Sequence, residues 1–240
     1  MLTRRHALFI MAFSIATTLP RKAEAKGLLK RLGLRTDSTL SDTTISDGLK
    51  EALTVGIERA VKLVGKKDGY LNNKEIKIPL PPKFSRIERP LREMGQGTKV
   101  DEFILSMNRA AEAAAPLAQE IFVEAISKMT LKDAKAILNG KDTAATDYLN
   151  TNTRTKLLEA FSPKVRETMS QFSVSKKYDA VVSKTTSLPF AKKYLGTNVE
   201  EYTTNKALDG LFTILAEEEK RIRTKPVART TDLLKKVFAK

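Results

Sequence analysis

The chain has 240 residues, with 43 Lys and Arg against 28 Asp and Glu, a net charge of +15, one histidine, no cysteine and no tryptophan. The single histidine, His6, lies in a stretch that reads as a removable export signal, so the exported chain is expected to contain neither His nor Cys. That composition excludes a Ser-His-Asp relay, a cysteine nucleophile, a His-ligated zinc and a thiolate cluster, and leaves Lys/Arg, carboxylates, hydroxyls and amides for any chemistry.

Residues 1–25 carry the three parts of a signal peptide. Arg4 and Arg5 supply the basic start, residues 7–19 form an apolar run, and Ala23-Glu24-Ala25 places small residues at the cleavage site, with cleavage expected after Ala25. The apolar run is too short to span a bilayer core, which takes about 20 residues. Thr3-Arg4-Arg5-His6-Ala7-Leu8 resembles a twin-arginine signal, and Arg21 and Lys22 suit that route. Ala7 stands where an aromatic is usual, so the general secretory route remains the alternative. A periplasmic destination is the expectation, with no disulfides and no lipidated cysteine.

Removing the signal leaves 39 Lys and Arg against 27 Asp and Glu, a net charge of +12. Such an excess favours anionic partners. Nucleic acid is disfavoured because aromatic stacking platforms are poorly supplied, which leaves an anionic lipid surface as the nearest partner in an envelope. Residues 26–45 read as a basic, then polar, tether. Lys30 and Arg31, set among leucines, are its candidate contacts with anionic lipid.

Residues 46–240 read as one all-α domain, with no Ser/Gly-rich linker to divide it. Leu49, Leu53, Ile57, Ala60, Val61 and Val64 recur at helical spacing, predicting a helix from Ser46 or Asp47 to Gly65. Ile76-Lys77-Ile78-Pro79-Leu80-Pro81-Pro82 alternates apolar with polar residues, and Pro79 makes it an edge or an isolated, Pro-rich strap. Phe84, Ile87, Leu91 and Met94 form the next apolar stripe, bent at Pro90 and ended at Gly95 and Gly97. The longest helix is expected over residues 98–129. Val100, Ile104, Met107, Ala111, Ala114, Ala118, Ile121 and Ala125 give it a seam of small side chains, so it should run through the middle of the domain, kinked at Pro116.

Shorter helices are expected after Thr130, ending before Gly140; after Asp142, which caps residues 143–149; and after Ser162-Pro163, with proline at the first helical position. Asn198 with Glu201 forms a capping pair. A helix over residues 204–223 follows, with Glu217, Glu218, Glu219, Lys220 and Arg221 on its outer face. A last helix starts at Thr231 or Asp232 and presents Leu233, Leu234, Val237 and Phe238 on one side. Lys235 and Lys236 on that segment are further candidate contacts with an anionic surface.

Two groups of side chains qualify as ligand contacts. Asn108 and Glu112 lie four apart on one helix face, beside the small-residue seam. They either line a cavity or make an interhelical hydrogen bond that sets packing register. Asp133, Asp142 and Asp147 cluster in sequence around Asn139-Gly140-Lys141, with Tyr148 adjacent. The order does not match a calcium loop, and Asp133 and Asp142 also suit helix starts. No metal site and no cofactor is expected. Gly95-Gln96-Gly97-Thr98-Lys99 lacks the spacing and the preceding strand of a phosphate-binding loop.

Several ordered motifs carry a resemblance: Ser106-Met107-Asn108-Arg109-Ala110-Ala111-Glu112; Asp133-Ala134 through Ile137-Leu138-Asn139-Gly140 to Thr143-Ala144-Ala145-Thr146-Asp147-Tyr148; Lys206-Ala207-Leu208-Asp209-Gly210-Leu211-Phe212; Ile78-Pro79-Leu80-Pro81; and the ending from Ala228 to Phe238. Over roughly residues 45–240 the chain resembles the family catalogued as domain of unknown function 4197. The resemblance implies a bacterial exported protein of helical architecture and assigns no residue a role.

Three functions are compatible with these readings. The first is a non-enzymatic periplasmic protein that binds an apolar or lipid ligand or an envelope partner. The second is a carboxylate-based or metal-dependent hydrolase, which needs two or more of Glu112, Asp133, Asp142 and Asp147 converging in one cleft. The third is a structural envelope protein acting through its basic surface. The residue types lean away from catalysis. Oligomeric state is not encoded in any feature of the sequence.

Overall fold

The computed structural model describes residues 41–171 and 198–225. Among these residues the chain is helical, with no strand. Helix α1 runs from Asp42 to Gly65, starting four residues before the first predicted position. Ser41 caps it, its Oγ accepting from the Thr44 N–H at 3.1 Å. The sequence signal missed this first turn because residues 42–44 are polar and carry no apolar period. The stop at Gly65 agrees with expectation.

A turn and an isolated strap follow. Lys77 and Pro79 face solvent while Ile76, Ile78 and Leu80 are buried, the alternation expected of an extended segment with one covered side. Helix α2, Pro82–Leu91, then leads into α3, Gly97–Ala114, through a wider turn at Arg92–Gln96. Gly95 at φ +74° makes the change of direction there. Phe84 and Leu91 are buried, but Met94, read as part of the same stripe, is 50% exposed because the stripe ends at this turn.

The long central helix is broken where proline dictates. A 3-10 turn at Ala115–Leu117 separates α3 from α4, Ala118–Ser127. Val100, Phe103, Met107, Ala110, Ala111 and Ala114 are all buried, so the small-residue seam does pass through the core. Helix α5, Leu131–Leu138, begins with a reciprocal cap: Thr130 Oγ1 accepts from the Asp133 N–H at 3.2 Å, and Asp133 Oδ2 accepts from the Thr130 N–H at 3.0 Å.

Helix α6 corrects the sequence reading. It is one helix, Ala144–Gln171, not two, and Pro163 lies inside it. Phe161 and Val165, on either side of the proline, are both fully buried, and packing there holds the helix across the missing N–H. Helix α7, Val199–Thr224, starts at Asn198, whose Oδ1 accepts from the Glu201 N–H at 3.0 Å, five residues before the predicted 204.

The body is closed by α7 packing on α6, α1 and α3, with α3 and α4 also against α6 and α1 against α4. Phe122 of α4 and Phe212 of α7 meet edge to face, 5.7 Å between centroids, at the heart of the core. The predicted last helix after Thr231 lies outside the described residues.

Candidate functional site

Asn108 and Glu112 sit on the buried side of α3, and both are committed to backbone. Asn108 Oδ1 accepts from the Ile78 N–H at 2.9 Å, and its Nδ2 donates to the Ile78 carbonyl at 2.9 Å and to the Ile104 carbonyl at 2.8 Å. The amide thus replaces a strand partner for the strap, which has none. One turn on, Glu112 Oε1 accepts from the N–H groups of Tyr70 and Leu71 at 3.1 and 3.3 Å. Arg109 bridges Glu112 and Asp68, with 2.6 Å to the latter. Asp68 occupies the left-handed region at φ 66°, which turns the chain out of α1.

Tyr70 completes this clamp. Its ring is fully buried and its hydroxyl donates to the Ala207 carbonyl of α7 at 2.6 Å. Burial above all, with the charges of Glu112 and Asp209, pushes the phenol far above its ordinary range. Gly210 makes room for it, since a Cβ there would lie 2.6 Å from Tyr70 Cε1. Tyr202 ties the far end of the strap, donating to the Pro79 carbonyl at 3.2 Å. Asn108 and Glu112 therefore fix a non-regular segment against α3, while Tyr70 and Tyr202 tie it to α7. These bonds run to the strap and the turn before it and not to another helix, so they seat that segment and set no interhelical register.

A second polar cluster was not anticipated. Glu218 and Glu219, expected on the outer face of α7, are buried. Glu219 accepts from the Ala145 and Thr146 N–H groups at 3.0 and 2.8 Å and from the Thr146 hydroxyl at 2.8 Å, capping α6 from a distance. Arg223 pairs with Glu219 at 2.8 Å and donates to the Ile137 carbonyl at 2.8 Å, closing the end of α5. Two helix ends are satisfied by one ion pair. Local spacing had pointed to Asp142 for the capping role instead. Asp142 is exposed, and the true partner lies 74 residues away.

Asp133, Asp147 and Tyr148 lie apart from the clamp, on the faces of α5 and α6. Asp133 is spent in the Thr130 cap, whose hydroxyl holds its carboxyl below the usual range. Asp147 pairs with Lys141 at 2.8 Å in solvent. Tyr148 is half-buried, and burial first, then the charge of Asp133, raises its phenol. It stands between two open clefts. One, of about 310 Å³, runs between α5 and α6 and is lined by Asp133, Ile137, Asp147 and Asn152 among others. The second, of about 220 Å³, lies between α4 and α6 and includes Ile121, Glu124, Lys128 and Lys156. Lys128 and Lys156 both bond to Glu124 and hold its carboxyl low.

A third space, between α1, α6 and α7, is lined by apolar groups such as Leu49, Leu53, Gly56 and Ile222, but has only about 20 Å³ free. That is the room of about one water. Among the described residues no group of three or more acidic side chains is placed to hold a metal, and no helix is long and apolar enough to cross a membrane. Lys30, Arg31, Lys235 and Lys236 lie outside the described residues.

The architecture defines an all-α protein whose long helices are clamped to a Pro-rich strap. The chain belongs to the family described as protein of unknown function (DUF4197), whose sequence model matches residues 39–239. No curated protein and no solved structure matches it.

Proposed function

We propose that the chain is exported to the periplasm and works there as a non-enzymatic interaction protein, meeting an envelope partner on the exposed face of α6 around Tyr148. The observation that carries this reading is the division of labour among polar side chains. Asn108, Arg109, Glu112, Asp133, Glu219 and Arg223 are each bound to backbone groups or to one another. Tyr148 instead stands at the junction of two open clefts. An aromatic ring with a polar tip, half-buried between clefts, suits a protein contact.

The other readings find less support. A hydrolase needs a carboxyl pushed up to act as an acid, and that of Asp133 is held down. An acyl chain does not fit a space of about 20 Å³. Adsorption to anionic lipid keeps one specific observation. The described residues hold 26 Lys and Arg against 24 Asp and Glu, whereas the rest of residues 26–240 hold 13 against 3. The basic excess belongs to the segments 26–40, 172–197 and 226–240, and a lipid surface would be met there and not by the helical body.

The test is site-specific photo-crosslinking in intact cells, with the reactive amino acid placed at Tyr148, at Asn152, or at the exposed control position Lys62. A discrete adduct at the first two positions and none at Lys62 is expected. No adduct, or the same adducts at all three, would remove this face as the contact surface.

A further inference from the structure

We propose that the partner enters the cleft between α4 and α6 with an acidic side chain, whose carboxylate is received by Lys128 and Lys156. This rests on the reading of the face around Tyr148 as the contact surface, and names the chemistry that meets it. Three charged side chains line the cleft: Glu124 near the end of α4, Lys128 just after it, and Lys156 on α6. Lys156 Nζ donates to Glu124 Oε1 and Oε2 at 3.2 and 3.3 Å, and Lys128 Nζ donates to Oε1. One carboxylate is shared by two ammonium groups, so one positive charge is left over in the cleft.

The other polar donors on the cleft wall are engaged by their own helix. Asn152 Nδ2 donates to the Tyr148 carbonyl at 2.7 Å, and the Thr153 hydroxyl donates to the Leu149 carbonyl at 2.6 Å. Ile121 and Ala125, packed on the core, supply the apolar part of the wall. Each ammonium carries three N–H donors, so Lys128 and Lys156 keep donors beyond those that Glu124 accepts. Both side chains are more than half exposed, and a carboxylate reaches them without opening the core.

The cleft on the other side of Tyr148 has the opposite sign. Its charged lining residues are Asp133 and Asp147, so an incoming carboxylate is repelled there and directed to the α4–α6 side. The α4–α6 cleft, about 220 Å³, is smaller than the roughly 300–1,000 Å³ of sites for free small molecules. It has the room of one side chain of a larger partner. Complementary charge of this kind chooses the partner and speeds its approach more than it adds affinity, while the Tyr148 ring supplies the apolar contact.

The experiment is photo-crosslinking in intact cells from position 152, with the adduct analysed by mass spectrometry. Four forms of the full chain are compared: the parent, Lys128→Gln with Lys156→Gln, Lys128→Arg with Lys156→Arg, and Lys62→Gln as a charge-matched control elsewhere. A protein adduct is expected in the parent, joined to a peptide that carries Asp or Glu. It should be lost in the Gln pair and kept in the Arg pair and in Lys62→Gln. Unchanged helical circular dichroism reports that each variant keeps the fold. An adduct that the Gln pair retains in full, or one joined to a peptide without Asp or Glu, would overturn the acidic partner while leaving the Tyr148 face as a contact surface. An adduct to lipid alone would overturn it in favour of a membrane, and no adduct in the parent would remove the contact surface as well.

Discussion

Glycine at position 210 shows how a single missing Cβ sets the strap against α7. The Tyr70 ring lies where a methyl would go, is fully buried, and is fixed by its hydrogen bond to Ala207. The ring has no direction in which to yield, so overpacking applies. Gly210→Ala is expected to lower the stability by about 1–3 kcal/mol, measured by chemical unfolding, even though alanine is the better helix former. A gain in stability would mean that the strap is not seated as described. The sequence marked Asn108 and Glu112 as a polar pair on a buried face, and that much was legible. Their partners were not, because Ile78, Tyr70 and Leu71 precede them by 30 to 42 residues and nothing in the pattern of either stretch pairs the two. Glu219 was misread for a similar reason. A glutamate within a run of charges looks solvated until a helix N-terminus from elsewhere in the chain is brought to it.

At the scale of elements, proline behaved in two ways. Pro116 breaks the central helix as its chemistry demands, and a 3-10 turn absorbs the change. Pro163 does not break α6. It faces solvent, so its ring costs the core nothing, and Phe161 and Val165 are buried around it. Local propensity favoured a new helix with proline at its first position, and tertiary packing overrode it. Pro163→Ala should restore one backbone hydrogen bond in a continuous helix and raise stability by about 1–2 kcal/mol, read from the unfolding midpoint. A loss of stability would instead support a helix start at residue 163. Helix starts marked by a cap were legible at Thr130 and Asn198. The start of α6 was not, since its cap comes from α7.

For the whole molecule, charge is unevenly placed along the sequence, near balance in the described residues and strongly basic in residues 26–40, 172–197 and 226–240. With 26 basic against 24 acidic residues described, the body has little attraction for an anionic surface. Residues 26–240 are expected to co-sediment with anionic vesicles at low salt and to detach at high salt, as counter-ions screen contacts beyond roughly 10 Å at 0.1 M. Deleting residues 26–35 should weaken binding without altering the helical circular dichroism. Equal binding to neutral vesicles would mean that charge is not the cause. An all-α class was readable from apolar spacing alone, because α1, α2 and α3 bury most of the apolar positions marked in the sequence. Which concave surface is free to meet a partner was not readable, since it depends on which polar groups the fold has already engaged.

That distinction between engaged and free polar groups is the centre of the account, and parallel unfolding curves of Glu112→Gln, Glu219→Gln and Tyr148→Phe test it most directly. Removing the Glu112 charge weakens the hold on two backbone N–H groups and on Arg109, a cost of about 1–3 kcal/mol. Removing that of Glu219 takes the charge from its ion pair with Arg223, which keeps its bond to the Ile137 carbonyl, and weakens the hold on the Ala145 and Thr146 N–H groups, at about 3 kcal/mol. Tyr148→Phe is expected to cost less than about 1 kcal/mol, since the ring stays packed on the core and the fold does not use the hydroxyl. Finding Tyr148→Phe as damaging as the other two, or Glu112→Gln and Glu219→Gln neutral, would contradict the account.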